Sequence, residues 1–371
     1  MSDLPVLPPL DPDRITAWRD AHRRCAQLLD EVPAPAVTAS RRLLRRLLVE
    51  GLANVQPVLV DVDCPLLFPS PRRYLTLEFE QRIAGARAAF GHIDVAAAMN
   101  RMEGGPPLVT ACMPPVLNAL LAGPVTERET NPGLLRMTPT HWMPDSNPFA
   151  HPDPAHVPDL LQGAIDLAVH APAPAITRAG WLAFVMMTVH PFVDGNGRTA
   201  RALFVAVSGS DTQAGVDWGV LEQWGLARTD YVAALQAGQR VEQYDGARVD
   251  PAPFMRFALE TSIRGALVNT ARVSMLGELA AALDSDVGDA DNVGLLLRVM
   301  IDRFVALDGL LDEAPDPTEA MARVRALIDQ GHLRFSDPPP GGPSASRSGR
   351  GLAIGPHSAA LADQAHRARF T

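Results

Sequence analysis

The chain has 371 residues, a formal net charge of −9 and a 47% hydrophobic share, so it is long enough to bury a large core and carry appended units. Its acidic balance argues against non-specific nucleic-acid binding by the chain as a whole. All 33 basic residues are arginine, which excludes a Walker A lysine, a kinase-type ATP lysine and Schiff-base chemistry; any phosphate must be held by arginine, backbone or metal.

Cys25, Cys64 and Cys112 are few, odd in number and without C-x-x-C spacing, which points to free thiols in a reducing compartment. There is no apolar run of membrane-spanning length, and Met1-Ser2-Asp3-Leu4-Pro5 lacks a signal-peptide layout. The expectation is a cytoplasmic protein without membrane contact.

In chain order, the apolar spacing predicts a helix from Asp11 to Leu29, ended by Pro33 and Pro35. A second helix, Arg41 to Val55, is expected to be capped by Thr38 or Ser40. A Pro-rich link from Asp61 to Arg72 leads to two more, Leu75 to Phe90 and Ile93 to Met102. An apolar helix lies between Pro114 and Gly123. The stretch Met137 to Pro154, dense in Pro, Asn, Asp and His, suits a hairpin or loop. Its neighbouring His141, His151 and His156 read as loop histidines, since prolines at 152, 154 and 158 spoil helical ligand spacing. Val157 to His170 and the apolar Ala175 to Val189 are the next helices.

Pro191 stops the second of these, and Thr199 to Val207 resumes a helical pattern. Gly195, Asn196 and Gly197 therefore fall at a helix start, where backbone N–H groups lack intrahelical partners and attract phosphate. Arg198 and Arg201 share a helical face and suit outer phosphates. Asp194 is a hard oxygen donor of the kind Mg²⁺ uses beside phosphate, and His190 suits a general base near neutral pH.

The remaining pattern predicts one helix over Leu221 to Gln239, a long one over Phe254 to Ala282 and an acidic linker over Asp284 to Asp291. A small helical unit runs to Phe335. Within it Asp316, Pro317 and Glu319 form a strong helix start, and Ala322 to Leu333 faintly resembles the recognition helix and wing entry of a winged-helix module. Ser336 to Gly351 is too rich in Pro, Gly and Ser to order itself.

The string His190-Pro191-Phe192-Val193-Asp194-Gly195-Asn196-Gly197-Arg198-Thr199-Ala200-Arg201 resembles the core motif of the Fic (Fido) family, H-P-F-x-D/E-G-N-G-R-x-x-R, at every specified position. Gly133-Leu134-Leu135-Arg136 resembles the family's G-x-x-R element ahead of its flap, which places Arg136, Thr138 and Trp142 in the flap region. The resemblance covers roughly Val116 to Gln239. It implies a mainly α protein: an N-terminal helical region over 1–110, a Fic-type core with a short β-hairpin flap over 111–265, and a helical C-terminal extension over 266–335. The tail over 336–371 is expected to be disordered, with its last segment, Ser358 to Phe370, read as either a short helix or a tail.

The resemblance implies a protein adenylyltransferase that moves AMP from ATP to a Tyr, Ser or Thr hydroxyl of a target protein, the chain itself included, and releases pyrophosphate. His190 would be the base, Phe192 an anchor and Asp194 the Mg²⁺ ligand. Asn196 with the Gly195 and Gly197 backbone would cradle the inner phosphates; Arg198 and Arg201 would take the outer ones. Gly197 favours this branch over the phosphotransferase toxins, which tend to carry lysine there. Glu50-Gly51 resembles the end of the family's inhibitory pattern S/T-x-x-x-E-G/N, whose glutamate pairs with the second motif arginine, but Arg46 stands at the Ser/Thr position. Tyr231 reads either as an adenine edge or as a buried core tyrosine. The alternatives are a de-AMPylase or other Fic-type phosphotransferase, and a nucleotide- or DNA-binding regulator with little transfer activity.

Overall fold

The computed structural model describes residues 3–53, 77–102, 107–123, 131–142, 149–212, 217, 219–302, 305–337 and 351–370. Among them are fourteen α-helices and five short strands. No described helix is long and apolar enough to cross a membrane. The chain divides into two compact units interleaved in sequence: residues 1–24, 46–57 and 77–267 form the first, and 25–45, 58–76 and 268–371 the second.

The first unit is built around α6 (Ala175–Val189), whose Trp181, Leu182, Phe184, Val185 and Met186 are all at most 1% exposed. A helix apolar on every side is stable only when neighbours enclose it. These include α5 (Val157–His170) and α7 (Asn196–Gly209), with α4 (Met113–Ala122) and α3 (Leu77–Asn100) packed beyond α7. Each fully buried Leu, Val or Phe contributes roughly 1.5–3 kcal/mol by leaving water, so this layer dominates the unit's stability. An aromatic cluster closes it: Trp224 of α8 (Val220–Leu226) and Tyr231 of α9 (Arg228–Gly238) pack with Phe254 of α10 (Ala252–Val287).

Several boundaries differ from the sequence expectation. The helix α1 is Pro12–Glu31, and α2 is Ala34–Ala53, beginning before either proposed cap. Pro35 lies in its first turn, where the missing N–H costs nothing. The two helices expected across 75–102 are one, α3: Gly91 lies mid-helix, where a single glycine costs only about 1 kcal/mol relative to alanine. The single helix expected over 221–239 breaks at Ala227 into α8 and α9. The Pro-rich link over 61–72 lies outside the described residues.

In the second unit the acidic linker of the sequence reading is almost wholly helical. The helix α10 runs to Val287 and α11 (Ala290–Asp302) restarts after Gly288, whose φ of 62° provides the left-handed turn. After α11 come β3 (Val305–Ala306), α12 (Leu307–Glu313), α13 (Pro317–Asp329), β4 (Leu333–Ser336), β5 (Gly351–Ile354) and α14 (Pro356–Phe370). The antiparallel sheet has the order β3-β5-β4, with Val305 opposite Leu352 and Leu333 opposite Ile354. That is winged-helix connectivity.

The tail expected to be disordered from 336 therefore contains a strand, and of the two readings left open for Ser358 to Phe370 the helix is the one formed. Gly351 and Leu352 pair on both sides, and Leu352 is 0% exposed. Composition misleads here because only a short apolar run is needed to fill the centre of a small sheet.

Candidate functional site

The site lies in the turn between α6 and α7. The helix α6 ends at His190, whose φ of 52° and ψ of 60° place a non-glycine residue in the left-handed region, with its N–H donated to Met186 O. This conformation is uncommon outside glycine and is tolerated here because the surrounding turn is heavily cross-linked. Arg136 supplies much of that linkage. It is 1% exposed and donates from Nε to His190 O at 2.8 Å, from Nη1 to Thr138 O at 3.0 Å, and from Nη2 to Pro152 O at 2.6 Å and Val189 O at 3.3 Å.

The flap forms as a short hairpin of β1 (His141–Trp142) and β2 (Phe149–Ala150), with His141 opposite Ala150. Arg136 sits at its base as a structural pin, its N–H also bonded to Pro191 O. Thr138 is exposed and contributes only its carbonyl to that pin.

Asn196 is used differently from the expectation. Its Oδ1 accepts from Phe192 N at 3.0 Å and its Nδ2 donates to Phe192 O at 2.8 Å, so a 2% exposed side chain closes the loop on itself. The side chain is thus occupied in shaping the turn, and the cradle left for an anion is backbone. The helix α7 starts at Asn196, so helix geometry gives the N–H groups of Asn196 and Gly197 no intrahelical acceptor. Gly195, at φ 82°, is required: a Cβ there would lie 2.8 Å from Asn118 Nδ2.

The charged groups surround this helix end. Asp194 is exposed; its Oδ1 accepts from Gly195 N at 2.6 Å and its Oδ2 pairs with Arg198 at 3.0 Å. Arg201, 4% exposed, donates from Nη2 to Leu52 O at 3.2 Å, while its buried Nε has no hydrogen-bond partner among the described residues. Burial brings the Arg201 guanidinium down to about 10; the nearby Tyr231 opposes that shift, and Arg198 and Arg82 add to it. The Tyr231 hydroxyl faces this guanidinium without closing a well-formed hydrogen bond. Arg198 and Arg82 thus both act on the Arg201 guanidinium beside a helix start, an arrangement suited to an anion.

Burial also pulls His190 down from 6.5 to about 4; a hydrogen bond with the Met187 backbone and the charge of Asp194 resist the shift, and Arg136 adds to it. The imidazole is therefore neutral at physiological pH and able to accept a proton. His151, expected to be a plain loop histidine, stacks on it with ring centroids 4.4 Å apart and planes 24° apart, its own Nδ1 within 2.9 Å of Thr188 O.

Glu50 is on α2 and 6% exposed, but Arg46, at the position where the pattern wants Ser or Thr, binds its Oε1 at 2.7 Å. The ion pair between Glu50 and Arg201 implied by the resemblance is not formed; the α2 terminus meets Arg201 through the Leu52 carbonyl instead. Tyr231 is 4% exposed and packs in the aromatic cluster, which answers the choice left open by the sequence in favour of a core tyrosine facing Arg201. The Trp142 side chain lies outside the described residues.

Three contributors were not visible in the motif. Asn118 of α4 donates from Nδ2 to Asp194 O at 2.8 Å and accepts from Gly133 N at 2.8 Å, joining the motif turn to the G-x-x-R element. His151 and Arg82 are the other two. All three lie far from the motif in sequence: Asn118 and Arg82 sit in helices whose apolar periodicity carries no information about side-chain chemistry, and His151 sits in a loop dense in proline.

A helical site that offers a neutral imidazole, an exposed carboxylate and a helix-start backbone beside arginine has the chemistry suited to handling phosphate. Residues 125–208 match the family model described as Fic/DOC family, and the chain carries a Fic domain. A Fic family protein from Desulfovibrio desulfuricans G20 shares the fold across 95% of this chain and 98% of its own, with a TM-score of 0.51 and 12% identity. A Fic domain containing signaling protein from Bacteroides thetaiotaomicron covers 71% of this chain and 96% of its own at TM-score 0.47 and 16% identity. A fragment of Fic-1 from C. elegans covers 70% and 72% at TM-score 0.48 and 18% identity. No curated sequence matches the chain.

Proposed function

We propose that the chain is a protein adenylyltransferase acting on ATP. The hydroxyl oxygen of a target Tyr, Ser or Thr attacks the α-phosphorus, its proton passes to a ring nitrogen of His190, the bond from the α-phosphorus to the bridging oxygen breaks, and pyrophosphate leaves. The observation that carries this reading is the conjunction at one helix start of a buried, partly unsatisfied Arg201 with a neutral His190. A cation with a donor left over inside protein is costly unless an anion visits it.

Asp194 fits a magnesium ligand because it is a solvent-facing hard oxygen donor next to the cradle. When bound, Mg²⁺ supplies charge neutralisation across the phosphates. The chain's own residues do the rest. Arg198 and Arg201 bind the outer phosphates, the α7 backbone N–H groups orient the inner ones, and the Asn196 clasp holds the turn in shape. Gly197 supports the AMP-transferring orientation, since a Cβ there would lie 3.3 Å from Arg201 Nη1 and press on the outer-phosphate contact. Removal of AMP by water, the competing enzyme reading, needs a carboxylate available near Arg201, and Glu50 is engaged by Arg46.

A second reading rests on the winged-helix connectivity of the C-terminal module, which in principle serves DNA. It is weakened by Arg323 of α13 being tied to Asp291 and Glu319. Gel retardation of duplex DNA by the full chain at 0.1 M salt checks it, and no specific shift is expected. The primary test is incubation of the full chain and a cell extract with ATP labelled at either the α or the γ position. Protein-bound label from the α position alone is expected; label from the γ position would overturn the proposal in favour of phosphate transfer.

A further inference from the structure

The second unit holds a cluster of ligating side chains that the Fic chemistry does not use. Asp286 near the end of α10, His332 just before β4 and His357 at the start of α14 each offer an atom, and these atoms lie within 4.8 Å of one another. Asp286 Oδ2 is 3.4 Å from His332 Nε2 and 2.7 Å from His357 Nε2. The two imidazoles stand edge to face, with centroids 4.8 Å apart and planes at 83°.

We propose that Asp286, His332 and His357 form a binding site for a divalent transition-metal ion of the zinc class. Two imidazoles and one carboxylate are a donor set suited to such an ion and poorly suited to Mg²⁺ or Ca²⁺, which prefer all-oxygen surroundings. Zinc bonds of about 2.0–2.1 Å in a tetrahedron put neighbouring ligand atoms about 3.3 Å apart. The Asp286–His332 separation already matches this, and the shorter Asp286–His357 contact needs to open by only about 0.6 Å. Both groups that must move, Asp286 and His357, are partly exposed, whereas His332 is 3% exposed.

The fixed ligand is also the supported one. His332 Nδ1 lies 2.9 Å from Ser358 Oγ, and Ser358 is 0% exposed. With Nδ1–H given to that hydroxyl, the Nε2 lone pair faces the cluster, the second-shell arrangement that metal-binding histidines use.

The backbone locks the two histidines together: Gly355 N donates to His332 O at 2.8 Å and His357 N to Gly331 O at 3.2 Å. That approach requires glycine at 355, where a Cβ would lie 2.2 Å from Gly331 O. Three protein ligands leave one coordination position for water. A metal there would fasten the end of α10 to the strand and helix that close the winged-helix module.

The test is zinc titration of the untagged, chelator-stripped full chain by calorimetry, with Co²⁺ absorption as a second readout. One equivalent of zinc is expected, with Co²⁺ giving the intense visible bands of a four-coordinate site. His357→Ala and Asp286→Ala should each weaken binding by about 100-fold or more, and Ser358→Ala by about 10-fold. His357→Cys, which restores a zinc ligand, should recover tight binding. Asp194→Ala should leave the stoichiometry at one, which separates this site from the motif. No tight zinc equivalent in the parent chain, or one unchanged in both His357→Ala and Asp286→Ala, would overturn the assignment.

Discussion

Arg136 and Arg201 are both buried arginines of the first unit, yet they are treated in opposite ways. Every nitrogen of Arg136 donates to a backbone carbonyl, tying the flap base to the end of α6. Arg201 has a single backbone acceptor at 3.2 Å and a buried Nε left over. The first guanidinium is part of the scaffold; the second keeps an unmet donor, which is what the proposed phosphate-binding role requires. Burial alone does not separate the two roles. Satisfaction does.

The contrast is sharpened first by removing the base between them. His190→Ala should lower α-label transfer by about 10²–10⁴-fold while thermal stability stays close to the parent, because the imidazole contributes chemistry more than packing. Next, Arg136→Ala should cost about 3 kcal/mol or more in urea unfolding, since it strands four carbonyls, three of them from the turn or the flap base. A variant that melted like the parent would break the assignment of Arg136 to the scaffold.

The pH dependence follows from the direction of the His190 shift. Its folded value of about 4 lies below the ordinary 6.5, so the unfolded chain binds more protons between those limits. Its contribution to stability is therefore complete above pH 6.5 and is lost as pH falls toward 4. By the same token kcat/KM should stay level from pH 8 down to about 5, whereas an ordinary histidine would halve it near 6.5. A midpoint near 6.5 would show that burial does not govern this group.

The smallest effect is expected at Glu50, a candidate inhibitory residue. Because Arg46 holds its carboxylate, Glu50→Gln should change auto-modification by less than about threefold. A tenfold rise would restore the inhibitory role.

Much of the site was legible because its residues are consecutive: His190 to Arg201 lie in one turn, and Pro191 and the glycines announce where helix gives way to loop. The roles inside the turn were less legible. Asn196 carries the donors and acceptors expected of a phosphate ligand, but they pair with Phe192, and whether an amide serves ligand or loop is decided in three dimensions. The His151 stacking on His190 was hidden by 38 intervening positions, and Arg82 by still more. In the second unit, proline and glycine over 336–350 masked the strand that follows, where a few apolar residues suffice once two partner strands exist. The helix existence readings held where apolar periodicity was strong, and failed at boundaries such as Pro35 and Gly91 where breaker residues sit in tolerated positions.

The central claim is that Arg201 is kept for a nucleotide phosphate. Thermal melts of the parent and of Arg201→Ala, each with and without Mg²⁺ and a non-hydrolysable ATP analogue, test it most directly. The account predicts that the variant melts at or above the parent without ligand, because a poorly satisfied buried cation is gone, and that it loses most of the ligand-induced rise the parent shows. An equal rise in both proteins, or a variant that melts well below the parent without ligand, would contradict it.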